Sequence, residues 1–246
     1  MFGLYLLIFR TNVAHRAILL LAAIVVMIGV KTKVYGQSGQ LNGHEYVDLG
    51  LPSGTKWATC NVGANVPEEY GVYFAWGETF GDYSASGETV STTHKRTYNW
   101  ENYKYEDGGL KKYCSDSEYG RNGYADSLTV LEPSDDAATV IWGEDWRMPT
   151  KEDFEELISN CDTTWTAQNG INGMRFTAPN GNSIFLPATG YKINTIHYSG
   201  NDGYYWSSTL CADNPRNAWR ILFSSSMISV QDYYRCYGRT VRPVVK

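Results

Sequence analysis

The sequence predicts one α+β domain made of many short strands, two helices at most, and long irregular loops. Three observations lead there. Short runs rich in aromatic and β-branched residues recur along the chain, separated by Gly, Pro, Asn and Asp. One stretch, Thr150 to Cys161, carries a helical period and a helix-start signature. No repeat of about 20–50 residues is visible, so a solenoid or propeller is not expected.

The first segment is expected to lie outside that domain. Arg10 and Arg16 precede an unbroken apolar run from Ala17 to Val30, 14 residues long. A span needs about 20 such residues. Val34-Tyr35-Gly36 follows, with a small residue where a signal peptidase would cut. We read 1–36 as a secretory signal peptide and 37–246 as a single domain with no transmembrane span after cleavage. No cysteine follows the cut to carry a lipid. The protein is thus expected to be secreted or held at the cell surface.

Residues 1–36 hold four basic residues and no acidic ones, which leaves 17 basic against 26 acidic side chains in the remainder. That balance excludes nucleic acid, whose phosphates need a basic footprint. Aromatics make up 14% of the chain, with 19 Tyr and 8 Trp. This is more than a core requires, and surplus Tyr and Trp suit recognition surfaces.

Taken in order, Gly43–Leu49 reads as an opening strand, Leu51-Pro52-Ser53-Gly54 as a turn, and Lys56–Cys60 as a second strand. Val66–Gly71 reads as a short helix, with Pro67 early, acids in its first turn and Gly71 at its end. Tyr73–Glu78 is apolar, then polar. Residues 79–127 are the least regular and are expected to be functional or mobile, wrapped over the sheet. Thr150 is an N-cap, with Asp153 three residues on. Phe154, Leu157, Ile158 and Cys161 form one apolar face, and Glu152, Asp153, Glu155 and Glu156 lie away from it. Paired carboxylates can serve glycosidases, but acids at a helix start are better explained by its dipole. Met174–Thr177 and Ser183–Leu186 flank Pro179-Asn180-Gly181, a hairpin signal.

The last stretch, Gly203 to Val245, is expected to carry function. Gly203–Thr209 and Gly238–Val245 read as strands at its two ends. Between them, alternation puts Trp219, Ile221 and Phe223 on one face and Arg220 and Leu222 on the other. Met227–Val230 returns, and Asp232–Tyr237 follows as an aromatic tail. A regular frame holding irregular insertions is the form of a binding surface on a rigid scaffold.

Enzyme signatures are absent. His44, His94 and His197 are isolated, and there is no G-x-S-x-G, P-loop or dinucleotide fingerprint. Asp135-Asp136 and Asn201-Asp202 lack the spacing of a calcium loop and read as turn or cap residues. No catalytic residue, cofactor or metal ligand is assigned. The five cysteines form no C-x-x-C pair.

Several motifs together resemble the Fibrobacter succinogenes major paralogous domain family of exported Bacteroidetes proteins. They are Val47–Gly54, Trp57–Ala64, Pro67–Gly71, Tyr73–Glu78, Trp146–Thr150, Gly203–Ser208 and Val241–Val244. The resemblance covers nearly all of 37–246. It implies a C-type-lectin-like fold of the formylglycine-generating-enzyme subtype: small twisted antiparallel sheets, two helices, long irregular loops, and terminal strands that lie close together. Sulfatase-activating enzymes of that fold use a cysteine pair near the C-terminus. Cys211 and Cys236 sit in that region, but in surroundings that do not match. Calcium-dependent lectins follow the tryptophan with acidic ligands, where Trp206 here is followed by Ser207-Ser208.

The C-terminal stretch also resembles the variable regions of ligand-binding proteins diversified by retroelements, which keep a Tyr-Trp-Ser-Ser start and a Val-Arg-Pro-Val end. That resemblance makes Cys211, Ala212, Arg220, Leu222, Asp232, Tyr233, Tyr234, Cys236 and Tyr237 the ligand-binding positions. Trp206, Trp219, Ile221 and Phe223 would form the scaffold beneath. The expected partner is a protein or glycan on a cell or mucosal surface. A second reading is a lectin that uses Trp100 or Tyr103 in the long loop; a third is an enzyme with a reactive thiol. Cys60 and Cys161, one on a strand and one at the end of the helix face, are the expected disulfide.

Overall fold

The last strand of the chain lies in the same sheet as the first three. The computed structural model describes residues 38–84 and 97–245; the expected signal peptide and His94 fall outside them. In chain order the strands are β1 (Gly39–Leu41), β2 (His44–Asp48), β3 (Lys56–Ala58), β4 (Gly71–Tyr73), β5 (Asp82–Ser84), β6 (Trp146–Arg147), β7 (Asp162–Gln168) and β8 (Ile171–Thr177). They continue with β9 (Ser183–Pro187), β10 (Tyr191–Lys192), β11 (Ile196–His197), β12 (Gly203–Leu210), β13 (Asn217–Phe223), β14 (Ile228–Tyr234) and β15 (Val244–Val245). Among the described residues two α-helices, α1 (Ala137–Trp142) and α2 (Lys151–Asn160), flank β6 along the chain. All named strand pairs are antiparallel. The fold is therefore α+β. No helix of the described residues is long and apolar enough to cross a membrane.

Short-range chemistry explains the local elements. Asn42-Gly43 and Asn169-Gly170 each take two positive φ angles, the two-residue turn that joins β1 to β2 and β7 to β8. The hairpin around Pro179-Asn180-Gly181 forms as expected, with Thr177 opposite Ser183. In α2 the Thr150 hydroxyl accepts from Asp153 N, and the Asp153 carboxylate accepts from Thr150 N. Phe154, Leu157 and Cys161 are buried from that helix, as expected. Asp153 corrects the reading: it is buried too, bonded by Arg147 and the Thr55 hydroxyl.

The second helix is not where the sequence placed it. Val66–Gly71 makes turns only, and Gly71 opens β4. The acids there are engaged sideways instead. Glu69 accepts from Asn65 N, and buried Glu68 accepts from the amides of Gln168 and Asn169. The helix is α1, capped by Asp136, whose carboxylate accepts from Thr139 N, and closed by Gly143 at φ 101°.

Residues 97–127 contain single-turn 3₁₀ segments and isolated bridges but no named strand or α-helix, yet they are pegged to the core by tyrosines. The hydroxyls of Tyr98, Tyr103 and Tyr105 donate to the carbonyls of Tyr73, Trp76 and Gly77. Each ring is buried, so an irregular strand of chain gains apolar burial and satisfies backbone acceptors together.

Sheet β12-β13-β14 lies between two apolar clusters. Tyr205, Ile221 and Phe223 face one, with Trp57, Phe154 and Leu157. Trp206, Leu210 and Ala218 face the other, with Trp76, Tyr113 and Cys236. Gly203 pairs with Phe223, and a Cβ there would meet that ring at 2.0 Å, so only glycine fits. The expected Cys60–Cys161 disulfide is not formed; all five cysteines are free thiols. Cys161 packs in the cluster around Trp57, while Cys60 sits in the turn after β3, its Sγ 3.6 Å from the Thr59 hydroxyl.

Candidate functional site

The β12–β13 ladder is interrupted between Trp206 and Leu210. Ser207 and Ser208 fill the irregularity. The Ser207 hydroxyl donates to Trp219 O, and Ser208 N donates to Pro149 O. The two serines therefore hold the sheet against its neighbours and leave Trp206 directly opposite Arg220.

Cross-strand partners share a face. Arg220 therefore projects with Tyr204, Trp206, Gln231 and Tyr233, and not toward α2. This changes the expected roles of two residues on β13, while Ile221 and Phe223 are buried as expected. Arg220, predicted to be an outward contact, is 5% exposed. Trp219, predicted to be scaffold, is half-buried, with Lys151 Nζ 4.5 Å over its ring. The reason is the second cluster: both faces of this sheet are covered, so alternation could not say which residues meet water.

Around Arg220 the chain builds an aromatic face. Arg239 lies 4.0 Å over Trp206. Both guanidiniums lie near the same two tyrosines: Arg220 is 5.0 Å from the Tyr204 ring and 5.3 Å from Tyr233, and Arg239 is 6.0 and 5.4 Å from them. Tyr191 stacks on Tyr237 with ring centroids 5.8 Å apart, and on His197 at 5.4 Å. Tyr233, Tyr234 and Tyr237 touch one another, and Tyr234 meets Trp100, itself capped by Arg216 at 4.0 Å. Tyr233 and Tyr234 remain 42% and 43% exposed. The turn after β14 is pinned from inside. Arg235 donates to the carbonyls of Tyr113 and Lys112 and lies 5.5 Å from the Trp76 ring.

The electrostatics are unusual. No carboxylate bonds Arg220 or Arg239 among the described residues. Nε and Nη1 of Arg220 and Nε of Arg239 are buried without a partner. Arg239 makes one long bond, 3.3 Å, to Tyr234 O. Burial lowers the pKa of Arg220. Burial, and then the Arg220 charge, lower that of Arg239 further. A guanidinium does not shed its proton in a protein, so both stay charged. The nearby acid Asp202 accepts from Tyr204 OH, which, after burial, raises that tyrosine's pKa.

Of the predicted positions, the fold brings together Arg220, Tyr233, Tyr234 and Tyr237. Leu222 shares the side of Arg220 and Tyr233, half-buried opposite Tyr204, whereas Tyr234, opposite Asn217, starts from the other side and meets Tyr233 and Tyr237 at the strand end. Asp232 lies on the other side, opposite Trp219, and accepts from Asn217 Nδ2. Ala212 is exposed on the β12–β13 loop, its carbonyl accepting from Ser115 Oγ. Cys211 and Cys236 are corrections: both are buried, and burial raises both thiols, Cys236 to about 12. Sequence reasoning missed Arg239, Tyr191 and Tyr204. Arg239 carried a signal, a cation inside an aromatic run; Tyr191 carried none, because its loop is brought in by tertiary contact. Tyr103 of the lectin reading is buried, with its hydroxyl engaged by Trp76 O. A cavity of about 270 Å³ elsewhere, beside His44 and Trp142, is lined by none of the predicted ligand-binding residues.

Residues 162–244 match a family model described as Domain of unknown function (DUF8237). They span β7 to the start of β15 and hold both arginines and every tyrosine of the face. No curated protein matches the chain. No solved structure matches it.

Proposed function

We propose that the protein is an exported, non-enzymatic recognition protein whose C-terminal face, about 204–245, binds a ligand on a cell or mucosal surface. The observation that carries this reading is the pair of charged, partner-poor guanidiniums beneath exposed tyrosines. Such donors do not serve stability well, and a buried polar group left open asks for a functional explanation. Large rings around them supply contact area at small entropy cost. The scaffold fits a C-type-lectin-like fold of the formylglycine-generating-enzyme subtype. What supports that is the closure of β15 between β3 and β6, the two helices, and the tyrosine-pegged long loop.

The non-enzymatic reading is supported by the thiols at 211 and 236, which burial keeps protonated near neutral pH. Retroelement diversification, if it acts here, falls on side chains that change without disturbing the core. Ala212, Tyr233 and Tyr234 are exposed and meet that condition; Cys211, Cys236 and Arg220 do not. Sequencing this locus in sibling strains tests the idea: variation gathers at the exposed positions, and identical residues there refute it.

The main test uses the whole protein against immobilised mucin and against intact bacterial cells. The wild type is expected to bind at least one of these. Tyr233→Ala with Tyr234→Ala is expected to lose that binding while keeping its thermal midpoint. Equal retention of both proteins places the contact elsewhere on the molecule.

A further inference from the structure

The proposed recognition face is specified for one chemistry, and the following rests on that reading. We infer that the Arg220–Arg239 pair is an anion subsite that takes the carboxylate or sulfate group of an acidic sugar, with Tyr233 and Tyr237 flanking the sugar ring.

Several observations converge on an oxyanion. Arg220 and Arg239 come from different elements, yet both approach Tyr204 and Tyr233. Two positive charges are thus buried close together, at 5% and 1% exposure, with no carboxylate of the described residues bonded to either. Three of their N–H-bearing nitrogens have no acceptor. Aromatic faces offset part of that cost, but a ring offers no lone pair to a guanidinium N–H. A carboxylate or sulfate supplies several lone pairs in the planar arrangement that guanidinium forks match. Among the described residues the buried acids are engaged elsewhere: Asp135 holds Lys104 and Lys112, Asp153 holds Arg147, Asp82 holds Lys192, Glu68 accepts from Gln168 and Asn169, Glu78 from Lys104 N, and Asp136 from Thr139 N and Met148 N. The anion is thus assigned to the ligand.

Access runs past Tyr233. Its ring covers both arginines and is 42% exposed, so an incoming anion displaces a side chain that already reaches solvent.

Charge distribution favours a single anionic group over a polyanion. The chain carries a net charge of −5. Between Gly190 and Val245 the only lysine is Lys192, buried and paired with Asp82. A polyacidic peptide or nucleic acid needs an exposed basic patch. This face offers instead one sunken pair of charges under flat rings and hydroxyls, with Arg216 spread over Trp100 beside it, which suits one acidic group on a compact, hydroxyl-rich body.

Isothermal titration calorimetry on the whole protein tests this with four probes: methyl glucuronide, methyl glucoside 6-sulfate, neutral methyl glucoside, and N-acetyl-aspartate amide. At least one acidic sugar is expected to bind ten-fold or more tightly than the neutral glucoside. Arg220→Gln is expected to erase that preference, and Arg220→Lys to keep part of it, with near-ultraviolet circular dichroism reporting the fold of each. The wild-type comparison needs no variant, so a misfolded variant does not rescue the idea. Equal binding of neutral and acidic sugars, or no binding of either, overturns it. An aspartyl amide that binds as tightly as the acidic sugars also overturns it, in favour of an acidic peptide. If Tyr233→Ala with Tyr234→Ala loses mucin or cell binding while Arg220→Gln keeps it, the face stands as the recognition surface and the anion subsite fails.

Discussion

Two regions of the molecule bury arginines in different ways. In the closing seam, Arg235 and Arg242 reach into the framework and find oxygen. Arg242 donates to Asn61 Oδ1, Ala58 O and Thr59 O, and Arg235 to the carbonyls of Tyr113 and Lys112. On the aromatic face, Arg220 and Arg239 find rings and one long hydrogen bond. The seam arginines act as staples, with two bonds from Arg235 and three from Arg242 to earlier parts of the chain. All four leave at least one buried nitrogen without a partner, Arg235 Nε and Arg242 Nη2 included, but the face pair makes one long bond between them. Burial alone therefore does not distinguish a structural charge from a recognition charge; the inventory of partners does.

The largest effect expected from this contrast is at the seam. Arg242→Ala removes the donor to two buried acceptors and one half-buried one, and is expected to cost about 3 kcal/mol or more, read from the urea midpoint. If Arg220→Ala costs as much, the two regions are alike and the comparison breaks. Acid titration sharpens it next. For Asp135, burial would raise the pKa, but hydrogen bonds from Lys112, Lys104 and Tyr113 hold it well below the usual aspartate range. For Asp153, burial is likewise outweighed, by Arg147 and the Thr150 backbone. Both folded values are depressed, so their stabilisation is complete above the unfolded value, about 3.9. It is lost as pH falls below that toward the folded values. Thermal midpoints between pH 7 and 2 are expected to fall mainly below pH 4, and Asp135→Asn should shrink that fall.

A smaller effect is expected at the face. Arg220→Met removes a poorly partnered buried charge and should leave stability unchanged or raise it by about 1 kcal/mol, while acidic-sugar binding drops at least ten-fold. A clear loss of stability would make Arg220 a staple like Arg242. The smallest effect belongs to Tyr234→Ala. Its exposed ring should contribute within about 0.5 kcal/mol to stability, and its loss should weaken binding to mucin or cells several-fold.

Elements set by neighbours in the chain were legible without coordinates. The Thr150–Asp153 capping box, the hairpin around Asn180-Gly181, and strands β2, β3, β12 and β13 follow from caps, turn residues and alternation within a few positions. The site was legible in part. The gathering of Tyr233, Tyr234 and Tyr237 into one aromatic cluster in the last stretch was readable, because aromatic density is a property of composition. The side of β13 that carries Arg220 was readable too, as the side opposite Ile221 and Phe223.

What tertiary structure alone decided is which of those sides meets water and which residues from afar complete the face. Alternation separates two sides of a strand but does not say what covers each. Here one apolar cluster packs beneath Ile221 and Phe223 while another covers Ala218 and Trp206, so Arg220 is buried and Trp219 is left half-buried. Tyr191 and Arg239 join Arg220 through contacts that span tens of residues, and Cys60 and Cys161 stay apart for the same long-range reason. Local rules act over a turn or a strand pair, whereas burial and partnership depend on how distant layers close over one another.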